Sequence, residues 1–281
     1  MPDSTIKNVP SLSGYYARVH FGLAAGRLGL DPGQTEECTD RRNFSAVELP
    51  AETFISGTRA DAEQWKERFS ILHCGDLLGP DLAEQVLTAK KNIQTEFLLT
   101  CEKTIRQLTA AGVHCGALDF SLAAALREPA RLEWLATVLR KLHPALLKNH
   151  FTLMLPLPLP LPGPEDAEKV MQFLRERMVA GVKLRLEIHP HQLKPEFQPE
   201  KIAGTLRLET RSVLFCTNAD SGNRLLRAHL APWLRYFALT GFPGPFLFCP
   251  FSRQNRLAAA ESDAFSRLVD EIRTAAGRKA E

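Results

Sequence analysis

Polar side chains alternate with leucine and isoleucine in the segment LRLEIHPHQL, residues 184–193. Successive side chains of a β-strand point to opposite faces, so Arg185, Glu187 and His189 share one face, with His191 further along it. Charged groups that face away from solvent need a partner, which is another side chain, water, a metal or a ligand. Two interpretations follow: an internal salt-bridge network, or a site that acts on a ligand.

Two further candidates lie at the ends of other apolar runs. Asp119, in the run HCGALDFS, either approaches Glu187 and His189 or caps the helix that follows. His73, in the run FSILHCG and followed by Asp76, is either a wall residue or a ligand. The pattern leaves both alternatives open.

Weaker candidates for ligand binding lie close to the ends of three more runs. His20 and Glu48 are near the ends of the first two, and Asp220 and Asn223 follow the seventh in TNADSGN, whose residues also favour turns. Arg185 would either orient Glu187 or bind an anionic substrate. The predicted substrate-binding residues are Arg185, His20, Glu48 and Asn223.

Glutamate, aspartate and histidine together are typical ligands of manganese, zinc or magnesium. The predicted metal ligands are Glu187, His189, His73 and Asp119, with Asp220 as a weaker addition. The metal would polarise a carbonyl or hydroxyl while a carboxylate acts as base. The predicted catalytic residues are therefore Glu187 and Asp119.

Several other chemistries lack their sequence pattern. The chain contains no G-x-S-x-G motif for a serine nucleophile, and Cys74 is adjacent to His73, so the two face opposite ways in a strand. It contains no P-loop and no G-x-G-x-x-G pattern, so we expect no nucleotide cofactor. Glycoside hydrolysis by Asp119 and Glu187 stays open, because the sequence does not give the separation that this mechanism requires.

Short apolar runs rich in β-formers must position these residues, and about eight of them alternate with helical patterns. The runs cover residues 15–23, 44–50, 69–75, 114–121, 151–157, 183–190, 212–218 and 245–251. This alternation predicts parallel strands with helical crossovers. Eight units without a glycine-rich phosphate loop favour a closed (β/α)8 barrel over an open sheet, with the site at the carboxyl ends of the strands.

The helical patterns cover residues 80–111, 128–148, 164–180, 223–240 and 261–276. Residues 156–162, PLPLPLP, are interpreted as a stiff loop between strand and helix. The first β/α unit is irregular: residues 24–43 show little helical periodicity and could form a lid or an insertion. We expect residues 1–281 to form one domain.

The composition narrows the class of protein. The 281 residues carry a net charge of +3, which argues against a nucleic-acid partner. No run reaches the roughly 20 apolar residues of a membrane span, and the first residues lack the apolar core of a signal peptide. The six cysteines include no C-x-x-C pair, and we interpret them as reduced and the protein as cytoplasmic.

The motifs LDFS at 118–121 and LRLEIHPHQL at 184–193, together with the eight-unit layout, resemble the xylose isomerase-like barrel superfamily. That superfamily includes sugar phosphate isomerases and epimerases and endonuclease IV-type enzymes. The resemblance implies a metal held by acidic residues and a histidine from the later strands, and, in the epimerases, paired glutamates as acid and base. Glu187 and His189 match best. The fifth and eighth runs, ending in LPLP and FCPFS, lack the expected carboxylates.

Three hypotheses follow for the function. The first is a metal-assisted isomerase or epimerase of a sugar or polyol. The second is a barrel that binds a carbohydrate-like small molecule without turnover, which the missing carboxylates favour. The third is a metal-dependent hydrolase, either a phosphodiesterase of the endonuclease IV kind or a glycosidase. Self-association as a homo-oligomer is compatible with each of them.

Overall fold

The strands of the chain close into a barrel. A computed structural model describes residues 19–28, 30–40, 44–56, 59–77, 91–118, 120, 122–159, 161, 166–177, 179–189, 206, 208–217, 230–234, 236–237, 240–250 and 255–278. Its strands are β1 Phe21–Ala24, β2 Ala46–Leu49, β3 Ile71–Cys74, β4 Cys115–Ala117, β5 Thr152–Leu159, β6 Val182–Ile188, β7 Thr210–Cys216 and β8 Phe246–Cys249. Neighbours in chain order pair in parallel, and β8 pairs with β1. The predicted (β/α)8 barrel is confirmed.

Helices follow the strands and cover the outside of the barrel. They are α1 Ala25–Leu28, α2 Pro32–Thr39, α3 Ala51–Ile55, α4 Arg59–Arg68, α5 Lys91–Ala110, α6 Leu122–Ala125, α7 Pro129–Lys148, α8 Asp166–Arg177 and α9 Asn255–Arg278. Residues 230–234 are also helical. No helix within the described ranges is both long enough and apolar enough to cross a bilayer.

Aromatic side chains dominate the layer between the strands and the helices. Phe21 stacks on Phe246 with ring centroids 5.8 Å apart, and Phe248 stacks on Phe265 of α9 at 4.6 Å. Rings of this size bury large apolar areas, so this outer layer supplies most of the hydrophobic stabilisation. All six cysteines are buried and none forms a disulfide.

The inside of the barrel is lined differently. Its apolar part consists of two small clusters, which are Ala24, Ala46, Leu214, Cys216, Leu247 and Cys249, and Cys115, Ala117 and Met154. Barrels usually fill this space with bulky branched side chains. Here small residues leave room for a buried polar row on β2, β3 and β6.

The proline-rich segment is partly strand, so the prediction of a loop over 156–162 is wrong for Pro156 and Pro158. Leu153 donates to the Gly181 carbonyl and Leu159 accepts from His189, so odd-numbered residues of β5 bond to β6. The backbone nitrogens of Pro156 and Pro158 therefore face β4. Pairing with β4 ends at Ala117–Met154, apart from the bond from the Leu118 amide to the Met154 carbonyl. Beyond that point the strand needs no N–H on this side, so proline is tolerated.

The first β/α unit is more regular than its sequence indicates. The side chain of Asp31 accepts from the Gln34 amide at 2.8 Å, and the Gln34 side chain accepts from the Asp31 amide at 2.9 Å. This capping box starts α2, which packs on α9 and buries Cys38. Residues 32–39 thus belong to the outer helical layer, in a region for which the sequence left a lid or an insertion open.

A paired substitution tests the account of β5. We expect Leu157→Pro to lower the free energy of unfolding by about 1–3 kcal/mol more than Leu157→Ala, because only proline removes the N–H that faces β6. Urea titration of both variants measures this difference. Equal stabilities would contradict the assignment of Leu157 to the β6 side.

Candidate functional site

Arg185 occupies the centre of the barrel and is 1% exposed. Its Nε and Nη2 atoms donate to Oε1 of Glu187 at 3.1 and 2.8 Å. Its Nη1 donates to Oε2 of Glu48 and to the Gly75 carbonyl, both at 3.1 Å. We call Arg185, Glu48 and Glu187 the buried triad.

The buried triad connects opposite walls of the barrel. Arg185 and Glu187 are on β6 and Glu48 is on β2, four strands away in either direction around the ring. Even-numbered strands contribute to common interior layers, so β2 and β6 can meet across the axis. The internal salt-bridge network, one of the two interpretations of this segment, is present among these three residues, and the role of Arg185 toward Glu187 or a substrate stays a prediction.

The charged groups of the buried triad are shielded from water and must be compensated by one another or by a neighbouring group. Glu48 is 0% exposed and Glu187 is 2% exposed, so all three charges have lost their hydration. The guanidinium of Arg185 lies between the two carboxylates. A neutral group that donates hydrogen bonds can pair with a carboxylate oxygen that Arg185 does not contact.

His73 lies beside Glu48 on β3, at the paired register position. Burial, followed by the positive charges of Arg211 and Arg185, lowers the pKa of His73 from 6.5 to about 3. The imidazole is therefore neutral at physiological pH. A neutral imidazole can donate a hydrogen bond, accept one or bind a metal.

Two buried polar atoms of this wall have no hydrogen-bond partner among the described residues. They are Oε1 of Glu48 and Nδ1 of His73. A Cβ atom at Gly75 would lie 2.9 Å from that Oε1, so the carboxylate of Glu48 can occupy this position only beside a glycine. Leaving a buried acceptor unsatisfied costs about 1–3 kcal/mol, and more for a charged group.

His189 and His20 lie at opposite ends of the barrel. His189 follows β6 directly, is half-buried, and donates its backbone N–H to the Leu159 carbonyl at 3.4 Å. His20 precedes β1, so it lies at the amino end, where its Nδ1 is 3.0 Å from Oγ of Ser45. The predicted first strand, 15–23, was placed too early. This corrects the expectation that His20 lies near the carboxyl ends of the strands.

Four of the candidate residues lie outside the described part of the chain. They are Asp119, His191, Asp220 and Asn223. Their proposed roles as catalytic residue, ligand or turn former therefore stay predictions. The structure brings together Arg185, Glu187, Glu48 and His73.

The sequence did not reveal three contributors to this interior. Gly75 offers a backbone carbonyl, which no side-chain pattern predicts. Pro156 and Pro158 pair in register with Arg185 and Glu187, so their rings form the adjoining wall. The contact of Arg185 with Glu48 spans 137 residues of sequence. Equal strand parity was the one signal that could have suggested that contact.

The described side chains do not fit a divalent cation. No group of three or more histidine, cysteine, aspartate or glutamate side chains within the described ranges is arranged to hold one. Carboxylates bind such cations at roughly 2.0–2.6 Å. The bonded oxygens of Glu48 and Glu187 instead lie 2.8–3.1 Å from guanidinium nitrogens. A divalent ion about 4 Å from this guanidinium would be repelled by about 8 kcal/mol at an effective dielectric of 20.

A thiol nucleophile is also disfavoured at this wall. Cys74 follows His73 but points out of the barrel, and its Sγ donates to the Asp76 carbonyl at 3.2 Å. Burial raises the pKa of the Cys74 thiol well above its usual range, and burial raises that of Cys115 to about 12. Thiols of this kind are protonated and unreactive.

Comparison with known proteins identifies the fold. No protein-family model and no curated protein matches the chain. A D-tagatose 3-epimerase-like protein superposes with a TM-score of 0.65 at 12% identity, covering 94% of this chain and 100% of that one. D-Psicose 3-epimerase from Clostridium cellulolyticum H10, with D-tagatose, gives 0.61 at 13% identity, covering 93% and 94%.

A xylose isomerase domain protein from Planctomyces limnophilus superposes with a TM-score of 0.60 at 12% identity, covering 91% of this chain and 98% of that one. At these identities the likeness establishes the fold alone. The predicted resemblance to xylose isomerase-like barrels is confirmed at that level.

The lowered pKa of His73 gives a pH dependence of stability. The unfolded chain binds a proton to this histidine below pH 6.5, and the folded chain does so only below about 3. Stability is therefore lost as pH falls through this window. Between pH 6.5 and 4.5 we expect His73 to account for about 2 kcal/mol of the loss.

Urea titrations at pH 6.5 and 4.5, on the wild type and on His73→Gln, isolate this contribution from that of the carboxylates. The variant should lose about 2 kcal/mol less than the wild type over the interval. An equal loss in both proteins would show that His73 is not buried in the neutral form.

Proposed function

We propose that this chain binds a sugar or a related polyol within the carboxyl half of its barrel, with Oε1 of Glu48 and Nδ1 of His73 as contacts. The observation that carries the proposal is that both atoms are buried and unpartnered among the described residues. A bound hydroxyl group would satisfy each of them. Isolated unsatisfied groups of this kind are rare in folded proteins.

The chemistry of the wall favours a neutral polyhydroxylated ligand. A carboxylate oxygen accepts from a hydroxyl, and a neutral imidazole either donates to a hydroxyl or accepts from one. Arg185 already pairs with both carboxylates, so a hydroxyl donor suits the remaining oxygen of Glu48. Pro156 and Pro158 add apolar surface that can pack on the C–H faces of a sugar. Structural neighbours include epimerases crystallised with D-tagatose, D-fructose or D-allulose.

A ligand panel tests binding. We expect one or more neutral ketohexoses, pentoses or polyols to raise the melting temperature, with affinity then measured by calorimetry. Glu48→Gln should weaken binding about 10- to 100-fold, because a hydrogen bond to a charged acceptor becomes one to a neutral acceptor.

Glu52→Gln is the matched control, since Glu52 is exposed on the short helix after β2. It should bind the ligand like the wild type. A ligand whose affinity is the same in the wild type and in a folded Glu48→Gln protein would contradict the proposed contact.

Isomerisation or epimerisation of the bound sugar is the second candidate function. It is favoured by the unpartnered Oε1 of Glu48, which is a buried carboxylate oxygen able to remove a proton next to a carbonyl. Glu48 would take the proton from carbon as the enediolate forms. Its return to the other face of that carbon gives the epimer. Its return to the former carbonyl carbon gives the isomer, with the proton of the neighbouring hydroxyl moving to the former carbonyl oxygen. Glu187 and Asp119 remain the catalytic pair predicted from the sequence, and Oε1 of Glu187 already accepts from Arg185.

Deuterium exchange separates binding from catalysis. A ketose that binds is incubated with the protein in D2O, and loss of the proton next to the carbonyl is followed by NMR. The catalytic candidate requires exchange that is faster with the wild type than without protein and that is lost in Glu48→Gln at saturating ligand. Tight binding without exchange would leave the protein as a binding barrel.

A further inference from the structure

The positive charge between Glu48 and Glu187 belongs to a side chain of the protein, Arg185. The guanidinium of Arg185 lies between two carboxylates that come from opposite walls, at 3.1 Å from Glu48 and 2.8 Å from Glu187. Arginine keeps its charge at every pH that a folded protein meets. The two carboxylates therefore always have a positive partner that cannot dissociate.

Three features hold the guanidinium in this position. The Gly75 carbonyl accepts a second bond from Nη1. Burial at 1% exposure denies Arg185 an alternative partner in water. The Pro156 and Pro158 rings of β5 line the adjoining wall, so the arginine side chain is packed on that side. The guanidinium of Arg185 therefore has a defined binding site between the two carboxylates.

We infer that the Arg185 side chain is the fixed cation of Glu48 and Glu187, so that this carboxylate pair takes up no divalent metal ion. The resemblance to xylose isomerase-like barrels implied a metal held by acidic residues, and the residues described here do not fit one. The inference concerns the carboxylate pair and does not depend on which ligand the barrel binds.

Removing the guanidinium should convert the pair into a metal site. Arg185→Ala would leave Glu48 and Glu187 without a cation, beside the neutral imidazole of His73. Two carboxylates and an imidazole are suitable ligands for Co²⁺, Mn²⁺ or Zn²⁺. Once the guanidinium is removed, Glu48 and Glu187 have lost their shared positive charge, and we expect them to bind one divalent ion.

The experiment measures Co²⁺ binding after treatment with a chelator, by calorimetry and by the visible spectrum of the ion. We expect Arg185→Ala to bind one Co²⁺ at least 100-fold more tightly than the wild type. The double variants Arg185→Ala with Glu48→Gln, and with Glu187→Gln, should lose this gain. Circular dichroism checks that each variant is folded.

The wild type provides a second arm that does not require Arg185→Ala to fold. Any Co²⁺ that the wild type binds should have the same affinity in Glu48→Gln and Glu187→Gln, because those carboxylates are occupied by Arg185. Wild-type binding that either substitution weakens tenfold or more would overturn the inference. A folded Arg185→Ala protein that gains no affinity for the ion would also overturn it.

Discussion

A charged side chain at the centre of a protein must be compensated where it lies, and this constraint organises the inside of the barrel. The guanidinium of Arg185 is cut off from water, and removing an ion of this size from water costs several kcal/mol even after relaxation. Glu187 compensates it from the same strand, and Glu48 and the Gly75 carbonyl do so from the opposite wall. The compensation exists only when the barrel is closed with β2 facing β6, so the buried triad and the closed fold require each other.

The same constraint sets what the site can do. Both carboxylates of the buried triad hold the guanidinium of Arg185, which fills the space between them. What is left for a ligand is the outer oxygen of Glu48 and the neutral imidazole of His73, both lacking partners among the described residues. These groups suit the hydroxyls of a neutral sugar, so the proposed function follows from what the buried triad leaves unsatisfied.

Local patterns in the sequence predicted the local parts of this structure. Alternation on β6 placed Arg185 and Glu187 on the interior face, and strand–helix alternation predicted the barrel. Neither pattern could predict the contact between Arg185 and Glu48, because that contact depends on which strands face each other across the barrel axis. Pro156 and Pro158 were assigned to a loop because their tolerance in β5 depends on where β4 stops pairing. His20 was misplaced because the apolar run YYARVHFGL, residues 15–23, begins and ends before the strand Phe21–Ala24 does.

The most direct test of this account is a double-mutant cycle on the free energy of unfolding, with Arg185→Met, Glu48→Met and the double variant. Arg185→Met leaves both carboxylates without their cation and should cost about 3–5 kcal/mol. Glu48→Met removes one of the two carboxylate partners of Arg185, which keeps Glu187, and should cost less. The double variant should be at least about 2 kcal/mol more stable than the sum of the two losses implies. Additive losses would show that Arg185 and Glu48 act independently, and would contradict the coupling across the barrel on which the proposed site depends.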